Sequence, residues 1–256
     1  MKKQVANGYS LPKKPRSLSL TLGGRKLPFF TLTKTILFGI ILDMGNVSKF
    51  TFQLDGEQEQ ALLGTLFGDG GMESTGVNSR FTTNCRLLDR DYIWWKHELL
   101  SPTGMFKRPP FKKLHHKYGK EFWVWQLISR ASPTLLPYSK QFYLDGTKRI
   151  TREVLERLFS LGLAVWYMDD GCLSIWGDGP GYMHKKLRLS TQGFPYEDHL
   201  LMRDWFISRY DIKFKIYQTH HRRTFYLCLD KLHEVERFLG IVSPYIVSCM
   251  LRKLGI

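Results

Sequence analysis

Leu62-Leu63-Gly64-Thr65-Leu66-Phe67-Gly68-Asp69-Gly70 is an apolar stretch closed by Asp-Gly, and it returns 101 residues later as Leu163-Ala164-Val165-Trp166-Tyr167-Met168-Asp169-Asp170-Gly171. A lone Asp-Gly is ordinary turn chemistry. Its recurrence at the same point of a repeated apolar helix makes it a motif. Each copy is followed by the same order of patterns. After Gly70 come a polar hairpin (71–86), a helix opened by Asp89 with Tyr92, Trp95 and Leu99 on one face, and alternation on both sides of Tyr118-Gly119-Lys120. After Gly171 come a hairpin turning at 177–181, a helix at 196–209, a hairpin turning at 220–223, and a helix that follows Asp230 and stops at Gly240. The order α-β-β-α-β-β-α, twice, predicts an α+β molecule of two pseudo-symmetric αββαββα subdomains. The expected boundaries are a basic N-terminal extension at 1–54, a first subdomain at 55–150 and a second at 151–256.

Asp55-Gly56-Glu57-Gln58 reads as a capping box, and Thr151 and Ser160 are candidate caps before the second copy. Both helices are expected to run about two turns, with Gly70 and Gly171 left-handed just past their ends. Gly64 and Gly68, spaced i and i+4, leave one face bare for close approach of another backbone. The second copy has Val165 and Asp169 there, with Ala164 as the nearest small residue, which implies a less intimate or rotated fit. If the two helices pack together, Asp69 and Asp170 emerge side by side at helix C-termini, where both like charge and dipole oppose them. A cation between them relieves this, and hard oxygen ligands with room for water suit Mg²⁺.

Lys and Arg number 38 against 23 Asp and Glu, a formal charge of +15, which points to a polyanionic partner. Residues 1–42 hold eight basic and no acidic residues, and their first 30 or so read as largely disordered. A hydrophobic fraction of 43% excludes a wholly disordered basic chain. The longest apolar run, 36–42, is too short to span a membrane. Cys85, Cys172, Cys228 and Cys249 are scattered, so neither a zinc knuckle nor a disulfide framework is expected. The chain reads as intracellular and reduced, in a bacterial cytoplasm or an organelle.

The sequence resembles the LAGLIDADG homing endonucleases, in the single-chain branch with two motifs. Beyond the motifs, the resemblance rests on Ser79-Arg80-Phe81, Phe142-Tyr143-Leu144-Asp145-Gly146-Thr147-Lys148-Arg149-Ile150, Ser190-Thr191-Gln192-Gly193-Phe194, Pro244-Tyr245-Ile246 and Arg252-Lys253-Leu254, and it covers roughly residues 57–254. Phe67 replaces the family's usual sixth-position Asp and Val165 the third-position Gly. The resemblance implies motif helices at the centre of the interface, with sheets forming a saddle over double-stranded DNA. It implies Asp69 and Asp170 as metal-binding catalytic carboxylates, helped by the Gly68 and Asp169 carbonyls, with Lys148 and Lys253 as one active-site lysine per half. Mg²⁺ is the expected cofactor, with Mn²⁺ able to substitute, and the expected product is a double-strand cut made by a monomer.

Strand alternation adds a candidate DNA face. Met183, Leu187 and Leu189 face the helices, while His184, Lys186, Arg188 and Ser190 face outward; Arg80, Thr82 and Asn84 share one face, as do Lys213, Lys215 and Tyr217. His115-His116 and His220-His221 are placed at hairpin turns, and the tryptophans 94, 95, 123, 125, 166 and 205 mostly in the core. Tyr167-Met168-Asp169-Asp170 also matches a reverse-transcriptase tetrapeptide, but the first copy reads Leu66-Phe67-Gly68-Asp69, a helix end rather than a polymerase hairpin. The alternative kept open is an intron-RNA maturase or a noncleaving DNA-binding protein on the same fold. The presence of both aspartates and both lysines favours cleavage.

Overall fold

The first helix, α1 (Gly56–Phe67), begins as its sequence dictates: the Asp55 carboxylate accepts the Gln58 N–H at 2.8 Å, and Gln58 Oε1 accepts the Asp55 N–H at 3.0 Å. In this computed structural model the described residues are 49–117, 119–177, 183–219 and 223–256, all within one compact unit, Met44–Ile256. The expected disorder of the first 30 residues, most of the 177–181 turn and His220-His221 lie outside the described residues.

From α1 the chain runs through β1 (Gly70–Ser74), β2 (Ser79–Arg86), α2 (Arg90–Leu100), β3 (Phe111–Lys117), β4 (Lys120–Ile128), α3 (Leu136–Phe142) and the two-residue strands β5 (Tyr143–Leu144) and β6 (Thr147–Lys148). It continues with α4 (Arg152–Glu156), α5 (Ser160–Asp170), β7 (Gly171–Trp176), β8 (His184–Leu189), α6 (Tyr196–Tyr210), β9 (Lys215–Gln218), β10 (Phe225–Leu229), α7 (Leu232–Val242) and a 3₁₀ segment, Ser248–Leu254. The two four-stranded antiparallel sheets have the same order, β1-β2-β4-β3 and β7-β8-β10-β9. Phe81 and Leu127 in the first sheet, and Leu187, Leu189, Leu227 and Leu229 in the second, bury the faces that pack on helices. No helix among the described residues is long and apolar enough to cross a membrane.

Helices α1 and α5 are buried along nearly their whole lengths because they pack on each other as well as on both sheets. They run 12 and 11 residues, about three turns rather than two. A Cβ on Gly64 would meet the Gly162 carbonyl oxygen at 2.2 Å and Val165 Cβ at 2.7 Å, so backbone rides on backbone. The small residue opposite is Gly162, not Ala164. Thr151 caps α4, but Ser160 is the first helical residue of α5 and caps nothing. Gln60 on α1 takes over, accepting the Phe159 N–H at 2.7 Å and donating to the Arg157 carbonyl at 2.8 Å. Gly171 is extended (φ −76°, ψ 146°) and Gly70 has no positive φ; each opens a strand, and each is glycine for want of space. A Cβ would lie 2.6 Å from the Thr65 carbonyl oxygen at Gly70 and 2.0 Å from the Tyr167 ring at Gly171.

Other expectations shift in detail. α7 passes through Gly240 to Val242. His115 and His116 lie within β3, not at a turn. Met183 precedes β8 and is half exposed. Trp166 and Trp205 are core residues, whereas Trp94, Trp95 and Trp125 are half-buried and Trp123 is exposed.

Candidate active site

The two Asp-Gly steps lie at the same end of the crossed helices, where β1 and β7 begin. Asp69 follows the end of α1 and Asp170 is the last residue of α5. Asp69 keeps solvent-facing surface, yet the protein around it strips enough hydration to push its carboxyl up to about 6, and the Asp169 charge adds to this. Burial pushes Asp170 further, to about 8, with Asp69 and then Asp169 contributing like charge. A cation between these two carboxyls would relieve the strain toward neutrality that burial and like charge impose on both.

Lys148 reaches the first motif on a tight hairpin. Asp145 (φ 49°) and Gly146 (φ 75°) form the two-residue turn of left-handed residues that Asp-Gly favours, and β5 pairs with β6 across it. Its ammonium donates to the carbonyls of Gly68 at 3.0 Å and Gly70 at 2.9 Å, which bracket Asp69. Lys253, in the C-terminal 3₁₀ segment, donates to the carbonyl of Gly171 at 2.6 Å and more weakly to that of Asp169 at 3.4 Å, which bracket Asp170. The Tyr167 hydroxyl donates to the Lys253 carbonyl at 2.6 Å and fixes the segment that carries it. Each half thus has one aspartate and one lysine clamped around it by the same pair of backbone oxygens. The Gly68 and Asp169 carbonyls, expected as metal ligands, are engaged by lysines here, each with a second lone pair to spare.

Burial lowers Lys148 to about 8, and lowers Lys253 as well, with Arg252 adding like charge. Lys148 can therefore exchange a proton near neutral pH. The shifts fix a sign for stability. Asp170, raised above its ordinary 3.8, favours the fold most below that value, and the benefit is lost as pH climbs toward about 8. Lys148, depressed, favours the fold above its ordinary 10.5, and that benefit is lost as pH falls toward about 8. Thermal unfolding in a chelator should show stability falling from pH 4 to 8 by an amount on the order of 3 kcal/mol, reduced from the full conversion because Asp170 keeps some water, and recovering at higher pH. An Asp170→Asn variant should flatten the acid-side fall; an unchanged slope would refute the assignment.

Among the described residues no group of three His, Cys, Asp or Glu is arranged to hold a cation alone. A cation on Asp69 and Asp170 must complete its shell with carbonyl, water or substrate oxygens, which is how Mg²⁺ commonly binds beside phosphates. A cleft of about 410 Å³ opens next to Asp69, lined also by Cys85, Arg86, Asp89, Arg252 and Lys253. Arg252 pairs with Asp89 at 2.8 Å, and Arg86 with the same carboxylate at 2.9 Å, tying the C-terminal segment to the first half.

Of the candidate DNA-face residues, Arg80, His184, Arg188, Lys213 and Lys215 are exposed, and Thr82, Asn84, Lys186 and Ser190 are half-buried. Lys213 precedes β9 rather than lying in it, and Lys215 is paired with Asp230 at 2.7 Å. Lys186 stands over the Tyr217 ring and Arg188 over that of Tyr226. Register places Gln126 beside Asn84, and His115 opposite Phe122 on the same face as Thr82 and Asn84. Thr82 Oγ1, Asn84 Oδ1, Gln126 Oε1 and His115 Nε2 are all buried without hydrogen-bond partners among the described residues. Gln126 has its sequence signal in the alternation through β4 from Val124 to Ile128, and His115, which the sequence places at a hairpin turn, stands on this face of the strand instead.

Residues 59–234 match the LAGLIDADG DNA endonuclease family. The chain is 25% identical over 227 residues to the cytochrome b mRNA maturase bI2 of Debaryomyces hansenii, covering 84% of this chain and 80% of that protein. It is 26% identical over 205 residues to the probable intron-encoded endonuclease 1 of Wickerhamomyces canadensis, covering 77% of this chain and 83% of that protein. The Saccharomyces cerevisiae maturase bI2 is 27% identical over 204 residues, 76% of this chain, but only 46% of that longer protein is spanned. The homing endonuclease I-WcaI, solved bound to its DNA recognition sequence, has the same fold, with a TM-score of 0.69 at 21% identity over 84% of this chain and 96% of that one.

Proposed function

Because the chain belongs to the LAGLIDADG DNA endonuclease family, we propose that it is a monomeric, Mg²⁺-dependent, site-specific endonuclease that cuts both strands of a DNA duplex. The observation that carries this reading is the twofold clamp, Lys148 on the carbonyls around Asp69 and Lys253 on those around Asp170. One carboxylate and one lysine per half match one phosphodiester per strand, with residues 55–150 and 151–256 as the two halves. In this reading Arg80, Thr82, Asn84, His184, Lys186, Arg188, Ser190, Lys213 and Lys215 meet phosphates and base edges, and the exposure of Arg80, His184, Arg188, Lys213 and Lys215 supports it.

Asp69 and Asp170 would hold Mg²⁺ at the helix junction, where it would supply Lewis acidity at the scissile phosphate and lower the pKa of an attacking water. Lys148 and Lys253 place ammonium groups beside the carboxylates, where they orient water and neutralise charge that develops on the phosphate. Lys148, which burial lowers to about 8, can also take a proton from the water or return one to the leaving oxygen.

Lys148→Met should slow one strand's cleavage by about 10²–10³-fold, so nicked circles should accumulate from a supercoiled plasmid that carries the target. Equal loss on both strands would contradict one lysine per half. The reading as a whole is tested by incubating the protein with a randomised duplex library in Mg²⁺ and in Ca²⁺. Double-strand cuts at one site in Mg²⁺, with binding alone in Ca²⁺, are expected. The maturase relatives favour a second reading, RNA binding, and tight binding to an intron RNA with no DNA cut under any metal would put it in place of the first.

A further inference from the structure

Lys96, on α2 of the first half, is buried beside the two motifs and has no part in the mechanism above. Its ammonium donates to Asp169 Oδ1 at 2.8 Å and Oδ2 at 3.0 Å, and the two side chains are 3% and 1% exposed. Asp169 Oδ2 also accepts the backbone N–H of Asp69 at 3.3 Å. Asp169 fits there because its counterpart in the first motif is Gly68, where a Cβ would lie 2.5 Å from Asp169 Cβ. The ammonium stands 4.4 Å from the centre of the Tyr92 ring, whose hydroxyl donates to the Val165 carbonyl. A line of contacts therefore crosses the interface from Lys96 to the second-motif carboxylate and on to the main chain of the first-motif aspartate.

Three carboxylates, of Asp69, Asp169 and Asp170, meet three ammonium groups, of Lys96, Lys148 and Lys253. Lys148 and Lys253 spend their hydrogen bonds on carbonyls, and Lys96 alone is spent on a carboxylate. A third free carboxylate beside Asp69 and Asp170 would bind the cation itself and draw it away from the phosphodiester. We propose that Lys96 is a positioning residue that keeps Asp169 off the metal, so that the site works with two carboxylates and an Asp69 main chain held in place. This rests on the nuclease reading. A buried ion pair is weak evidence for stability in itself, since an uncharged pair of similar volume often serves as well, so the pair calls for a functional account.

The test measures Ca²⁺ affinity on the protein bound to its uncut duplex, together with thermal unfolding in chelator, for Lys96→Met, Asp169→Asn and the double variant. Lys96→Met should bind Ca²⁺ about tenfold more tightly or better, because one positive charge leaves and one carboxylate is freed, while cutting more slowly. Asp169→Asn should bind Ca²⁺ about tenfold more weakly. The double variant, uncharged at both places and free of the buried unpaired ion that could unfold Lys96→Met, should return to within about threefold of wild type. Affinities that fall in both single variants in step with their melting temperatures, or that do not change, would overturn the proposal and leave a packing role. If the wild type cuts and binds Ca²⁺ while the variants behave in that way, only the Lys96 assignment fails; if the wild type does neither, the nuclease reading fails with it.

Discussion

Asp170→Asn should lower double-strand cleavage roughly a thousandfold or more, while duplex binding in Ca²⁺ stays within a few-fold of wild type and the metal-free protein melts at a higher temperature. A carboxylate ligand to the cation supports several kcal/mol of transition-state stabilisation, and 1.36 kcal/mol is a factor of ten. The gain in melting temperature follows from the same geometry. Asp170 is pushed up to about 8 by burial and by the charges of Asp69 and Asp169, so at neutral pH folding must protonate it, a cost that asparagine does not carry. Asp69→Asn should lose a comparable amount of cleavage with a smaller thermal gain, because Asp69 is pushed only to about 6. Opposite movements of activity and stability separate a functional carboxylate from a structural one. The checks are single-turnover cleavage, gel-shift titration and calorimetry. A variant that cuts both strands at the wild-type rate would show that the paired carboxylates do not carry the reaction.

Gly64→Ala should destabilise the protein by about 3 kcal/mol, a fall in melting temperature of roughly 6–12 °C for a domain of this size. The new methyl would stand 2.2 Å from the Gly162 carbonyl oxygen and 2.7 Å from Val165 Cβ, and neither can swing aside as a long side chain could. The helices must part, and Asp69 and Asp170 part with them. A displacement near 1 Å at a reacting centre can cost about 10²-fold in rate, so cleavage should drop even at temperatures where the variant is folded. Gly240→Ala is the matched control, since among the described residues nothing lies within 4 Å of its would-be Cβ and it is exposed in α7; it should be neutral or gain about 0.5–1 kcal/mol. Equal melting temperatures for the two variants would contradict the close crossing.

What was legible in the sequence was local or repeated. The Asp55–Gln58 box, the alternation of β2 and β8 and the twice-used element order all follow from neighbours a few residues apart, and the two carboxylates follow from the repeat. What was not legible depends on contacts across the interface. Ser160 looks like a cap, but Gln60, 99 positions from the Phe159 amide it serves, performs that work. Gly70 and Gly171 look like left-handed helix ends, yet the constraint on them is space against Thr65 and Tyr167. Gly162 precedes the repeated block, so the repeat points to Ala164, although Gly162 is what Gly64 meets. Lys96 reads as one more cation on a helix of mixed polarity, and only the fold brings it to Asp169, 73 positions away. Lys148 and Lys253 stand out in the sequence only through the family resemblance, whereas the Asp145-Gly146 turn that delivers the first reads as a hairpin in its own right.

The central claim is that Asp69 and Asp170 jointly hold the cation through which both strands are cut. Anomalous scattering from Mn²⁺ in crystals of the protein on its duplex tests it most directly. The account predicts Mn²⁺ density in contact with the carboxylates of both residues and with phosphate oxygen. Mn²⁺ bound elsewhere, in crystals whose DNA is nonetheless cut, would contradict it.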